Sequence, residues 1–149
     1  MAEIKIMEKT NEEKDWSVRQ GELEGKPVFV SFRANIDTKE NRNFLPFQVG
    51  VAIPLLNPTV DGLPTNEEAK ELWNIEDELK LILKNTYNAL YVMSITVDGM
   101  REFVFYVPKW IPEEIEKTVK EIEKKAGSHE LQFMLKEDSD WKTYTHFKG

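Results

Sequence analysis

The stretch VDGMREFVFYV, residues 97–107, constrains the fold more than any other part of the chain. Asp98-Gly99 between two strand-forming runs signals a two-residue hairpin turn, because both central residues of such a turn take positive φ. The arms do not alternate cleanly between apolar and polar. A two-residue loop sets Val97 opposite Met100, Ile95 opposite Glu102, Met93 opposite Val104 and Tyr91 opposite Tyr106. One face then carries Tyr91, Met93, Ile95, Val97, Met100, Val104 and Tyr106, with the carboxylate of Glu102 inside it. The other carries Leu90, Val92, Ser94, Phe103, Phe105 and Val107. Period two shows which residues share a face, not which way it points. The second set reads as the helix-packed core.

The flanking segments supply those helices. Residues 46–56 alternate strongly, with Phe47, Val49, Val51, Ile53 and Leu55 on one face. Thr65 and Glu68 form a capping box ahead of a helix that places Leu72, Ile75, Leu79, Ile82 and Leu83 on one stripe and ends near Asn85. Pro112 suits the first turn of a second helix with Ile111, Ile115, Val119, Ile122 and Ala126 inward, and Gly127 suits the position after its end. A last strand is expected over 129–136, followed by an aromatic tail. Upstream, two strands over about 16–23 and 27–36 flank Glu24-Gly25. The order from residue 46 is β-α-β-β-α-β, the signature of a ferredoxin-like α+β sandwich. The expected fold is an antiparallel sheet with two helices on one face, extended by an N-terminal β-hairpin. Residues 1–14 read as a polar N-terminal segment and 15–149 as a single α+β domain.

That arrangement leaves the second sheet face without an assigned cover. Three covers are open: the tail 138–147 with Trp141, Tyr144 and Phe147, a second copy of the chain, or a ligand or foreign protein.

Composition narrows the function classes. With 20 basic against 27 acidic residues the net charge is −7, which opposes attraction to phosphate backbones and argues against nucleic acid. There is no cysteine, so disulfides, thiolate metal sites and thiol catalysis are excluded, and a reducing cytoplasm is the plain reading. No run reaches the ~20 apolar residues of a membrane-spanning helix, and the N-terminus lacks a signal-peptide core.

Residues that could carry chemistry are sparse. His129 and His146 have no neighbour at metal-ligand spacing and read as strand-end and surface residues. Glu137, Asp138, Ser139 and Asp140 lack the full calcium-loop pattern and read as a solvated turn. Glu76 and Asp77 diverge by about 100° on a helix, so they do not share a proton. No metal or cofactor is expected. Glu102, set in an apolar patch, would have a raised pKa unless a cation such as Arg33 or Arg101 pairs with it. The tryptophans at 16, 73, 110 and 141 fit core packing or a lid over the sheet better than base stacking.

Three segments, TVDGLPTNEEAKELWNIEDELKLIL, LYVMSITVDGMREFVFYV and DSDWKTYTHF, resemble the bacterial domain of unknown function 695 family over roughly residues 14 to 147. That family carries a DGLP…IED helix before a Y…T.DG.REF.FY hairpin, with a closing D..W..Y..F. Its usual ending F-L-Y-P stands here as His146-Phe147-Lys148-Gly149. The family brings no established activity. Its similarity to the regulator type that inhibits ribonuclease E implies protein binding by association. If the pattern marks a site, the resemblance points to Trp16, Glu76, Asp77, Thr96, Arg101, Glu102, Asp140, Trp141 and Tyr144.

The expected function is a non-enzymatic interaction or regulatory module that uses an open sheet face or edge, with a homodimer as one form. The candidate surface is Tyr91, Met93, Ile95, Arg101, Glu102, Val104, Tyr106, Trp141 and Tyr144. The rival is a small-molecule binder or hydrolase-like enzyme with a pocket near Arg101 and Glu102.

Overall fold

A computed structural model describes residues 15–36 and 38–149; the polar segment 1–14 lies outside them. The chain runs β1 (Trp16–Leu23), β2 (Lys26–Arg33), a single helical turn α1 (Thr38–Asn41), β3 (Phe47–Pro54), α2 (Asn66–Tyr87), β4 (Leu90–Val97), β5 (Met100–Val107), α3 (Pro112–Ala126), β6 (Gln132–Glu137) and α4 (Lys142–Lys148). The strands form one open antiparallel sheet in the order β1-β2-β4-β5-β3-β6. The expected elements are present. Two short helices are added: α1 in the charged loop and α4 in the aromatic tail.

Local chemistry accounts for the element ends. Glu24-Gly25 and Asp98-Gly99 all have positive φ, as two-residue hairpins of this twist require. Thr65 Oγ1 accepts from Glu68 N–H at 3.2 Å and starts α2. Gly127, at φ 68°, ends α3 with its N–H on Glu123 O.

The apolar side chains make two cores, one on each sheet face. On the helix side Val49, Val51, Ile53, Phe103, Phe105 and Val107 meet Leu72, Ile75, Leu79 and Leu83 of α2 and Ile115, Val119 and Ile122 of α3. On the opposite side Val28, Val30, Val92, Met93, Ile95, Val104 and Tyr106 meet Trp141 and Tyr144. The tail is therefore the cover of the second face.

The hairpin register follows the turn for Val97–Met100, Ile95–Glu102 and Met93–Val104, then breaks. A bulge between Tyr91 and Met93 pairs Tyr91 with Phe105 and Leu90 with Tyr106. This corrects three faces expected from strict alternation. Tyr91 belongs to the helix-side core, while Val92 and Leu90 belong to the tail-side core. One extra residue reverses the parity of all that precedes it.

The second core depends on Trp141, which is fully buried. Trp141→Ala should cost about 3–5 kcal/mol, the usual penalty for removing a buried large aromatic. Urea unfolding with a hydrophobic dye as reporter checks this: the variant should unfold at lower urea and bind dye before the main transition.

Candidate functional site

The family's closing motif proves to be a clasp. Asp138 is buried at the end of β6. One carboxylate oxygen accepts from Tyr106 Oη at 2.7 Å and from Thr143 N–H at 3.1 Å, and the other accepts from Lys142 N–H at 2.8 Å. The carboxylate thus satisfies the first amides of α4. Trp141 stacks on Tyr106 at 4.1 Å between centroids and donates Nε1–H to Leu45 O at 2.9 Å. Tyr144 donates its hydroxyl to Arg33 O. Burial and the Asp138 charge push the Tyr106 hydroxyl well above its ordinary pKa, and burial raises Tyr144. Both phenols stay neutral donors. Asp138 holds the position that matters here; Asp140 is exposed.

Met93, Ile95, Val104, Tyr106, Trp141 and Tyr144, expected on a binding surface, are all buried under this clasp. Tyr91 is buried on the other side. Of the nine residues expected on that surface, seven are interior, and Arg101 and Glu102 are partly exposed.

Arg101 and Glu102 also separate. Arg101 pairs across the hairpin with Thr96, and Glu102 with Ile95, so the two point to opposite faces. No single pocket uses both. Glu102 lies over Gly50, where a Cβ would come within 2.5 Å of its Oε2 and 3.1 Å of Met134 Cε. Burial raises its pKa, and the Lys136 charge offsets this only in part. A raised carboxyl contributes stability that is present at low pH and lost as pH rises through its folded pKa. Glu102→Gln should therefore raise the melting temperature at pH 7, with the gap closing as the solution is acidified. Thermal melts of both proteins over a pH series check the sign.

His129, expected at a strand end and unremarkable, is fully paired. Its Nε2 lies 2.7 Å from Glu68 Oε2 and its Nδ1 lies 2.9 Å from Ser128 Oγ. Glu68 leaves the capping box half made. It also accepts from Leu56 N–H at 2.6 Å and Asn57 N–H at 3.3 Å. Burial alone would raise its pKa, but the Leu56 N–H, His129 and the Asn57 N–H together hold it below the usual carboxylate range. The Ser128–His129–Glu68 line has the connectivity of a proton relay. Ser128 follows the C-terminal end of α3, however, where the helix dipole disfavours an oxyanion. The cluster ties the loop after β3 to the loop before β6. A lowered carboxyl stabilises above its unfolded pKa of about 4.3 and loses that contribution as pH falls. Glu68→Gln should cost about 3 kcal/mol at pH 7, as expected for a broken buried pair, and less below about pH 4.3. Denaturant unfolding at the two pH values measures this.

Among the described residues, what stays open lies on the helix side, beyond the helices. Of the N-terminal hairpin, only Trp16 packs against the helix-side core. The register makes three helix-side rows: Trp16 beside Arg33, Val18–Ser31–Ser94, and Gln20–Phe29–Thr96–Arg101. Val18 is 51% exposed, Gln20 is exposed, and Phe29, Ser31, Arg33 and Ser94 are half-buried. Arg101 bounds this ledge. Its Nε–H donates to Thr96 Oγ1 at 2.9 Å. Burial lowers its pKa while the Glu76 charge raises it again; it stays a cation. Tyr91 Oη donates to Glu76 Oε2 at 2.8 Å, and its ring lies 5.0 Å from Trp16 and 5.9 Å from Lys80 Nζ. Burial first, then Glu76, pushes the Tyr91 hydroxyl well above its ordinary pKa. Thus Trp16, Glu76, Thr96 and Arg101 of the motif converge, with Tyr91 among them. Asp77 is exposed on α2, Glu102 is behind the sheet, and Trp141 and Tyr144 are in the clasp.

Two shallow concavities lie elsewhere. One of about 280 Å³ between α2 and α3 is lined by Glu71, Asn74, Ile75, Ile122 and Ser128. Another of about 140 Å³ lies at the hairpin turn, beside Lys26, Asp61 and Gly99. Among the described residues no group of three or more His, Asp or Glu side chains could hold a metal ion, and no helix is long and apolar enough to cross a membrane.

Fold and site define a small α+β domain whose back is sealed by its own C-terminal clasp and whose front carries a hydroxyl-rich ledge that is open among the described residues. The chain belongs to the Family of unknown function (DUF695), whose model matches residues 14–147. No curated protein and no solved structure matches it.

Proposed function

We propose that this chain is a non-enzymatic protein-interaction or regulatory module that engages its partner through the helix-side ledge and the adjoining edge strand β1. The observation that carries this reading is the unequal cover of the sheet. The clasp closes one face, whereas the helix-side surface of β1 and β2 leaves Val18 exposed and Phe29 half-buried beside Trp16. Apolar side chains left among polar neighbours on one sheet face suit an interface. β1 pairs with β2 alone among the described strands, has eight residues and contains no proline, so its outer backbone groups can accept a partner strand.

Within the same reading, residues from β3 to β6 form a ferredoxin-like unit, supported by the order β4-β5-β3-β6 with antiparallel neighbours. Kinship with the ribonuclease E inhibitor type rests on the shared small α+β class, which also suits protein binding. The acidic, cysteine-free composition suits a cytoplasmic setting.

A photo-crosslinking residue at Ser31, compared with one at Glu116 on the wet side of α3, tests this in the native host. Discrete adducts at 31 and none at 116 are expected. Equal labelling, or none at 31, overturns it. Light scattering of the purified chain shows whether the partner is a second copy.

A further inference from the structure

We infer that the ledge recognises the free C-terminal carboxylate of a peptide, with Arg101 as its anchor. This deepens the interaction reading above and rests on it. A guanidinium has five N–H donors, and among the described residues that of Arg101 spends one, the Nε–H on Thr96. Thr96 is buried and its hydroxyl is fixed on β4. The Nε bond therefore sets the plane of the group and leaves the Nη fork for another acceptor. A planar fork with both arms available matches the two oxygens of a carboxylate.

The surroundings extend that match. Ser31 and Ser94 face each other across β2 and β4, on the row next to Thr96 and Arg101. Both are half-buried; the Ser31 hydroxyl can donate to the same ligand, while Ser94 lies beside the Tyr91 hydroxyl. Trp16, Val18 and Phe29 lie on the same face and offer an apolar seat for the residue that bears the carboxylate. The apolar seat decides between a carboxylate and a phosphate. A peptide's last residue brings a side chain to lie against Trp16, Val18 and Phe29, and inorganic phosphate brings none.

The test uses the full chain and three probes: N-acetylphenylalanine, its carboxamide, and inorganic phosphate. Amide NMR shifts of Ser31, Ser94 and Thr96, with the Arg101 Nε–H, report binding. N-acetylphenylalanine should shift these resonances saturably, and the carboxamide should bind at least about tenfold more weakly. Arg101→Lys keeps the charge but loses the fork, and should weaken the acid by a similar factor. Ser31→Glu, at a half-buried surface position, sets a repelling carboxylate in the site and should abolish the shifts should the lysine variant fold poorly. Equal binding of acid and carboxamide, saturation by phosphate alone, or no shift with any probe overturns the proposal. If Ser31 crosslinks a partner in the host and Arg101→Lys leaves that adduct intact, the carboxylate anchor falls while the interaction reading stands.

Discussion

The buried carboxylate of Asp138 is the constraint on which the two-sided sheet depends. Hairpin β4–β5 is apolar on both faces, and α2 and α3 cover one of them. The other must be closed by what remains of the chain. A helix as short as α4 has no stability of its own, because nucleation costs more than two turns return. Asp138 removes that obstacle by accepting the first amides of α4 and holding Tyr106, on which Trp141 stacks. One side chain thus starts the helix and fixes it to the sheet. The left-handed backbone at Trp141, φ 56°, is a strained conformation for a bulky residue. It persists because the ring is stacked, hydrogen-bonded and wholly enclosed.

This explains what was legible beforehand. The two long helices and strands β2 and β3 are readable because their periods run through five apolar positions each. The turn at Asp98-Gly99 was readable because type I′ geometry restricts its residues. The need for a second cover was readable too, since period two exposes the greasy residues on both faces. Which of three covers applies was not, because a seven-residue helix has too short a period to distinguish from a frayed end. The bulge at Val92 was equally hidden. No glycine or other special residue marks it, and it becomes visible only when Tyr91 is found beside Phe105.

Candidate chemistry was the least legible. Glu68 read as a capping residue and is one by its amide, yet its carboxylate crosses to His129, 61 positions away. Such long-range pairing leaves no local signal. Arg101 and Glu102 read as a pair because they are adjacent, whereas strand geometry makes adjacency the surest way to keep two side chains apart. Their environments differ accordingly: a hydroxyl partner and the charge of Glu76 for Arg101, a glycine floor and a lysine at one remove for Glu102.

The N-terminal hairpin shifts the balance of cover across the sheet. Helices α2 and α3 lie over the strands that flank them in sequence, so β1 and β2, added at one edge, extend the sheet past the helices on the front. On the back the same two strands add Val28 and Val30 to the surface that the clasp seals. One addition therefore enlarges the closed face and, among the described residues, leaves an open one. The side chains divide in the same way: valines and Phe32 of β2 turn towards the clasp, while Phe29, Ser31 and Arg33 turn towards the ledge. A strand needed merely for stability could place any small polar residue there. Serines from two strands meeting beside an arginine already oriented by Thr96 form a surface with direction as well as charge.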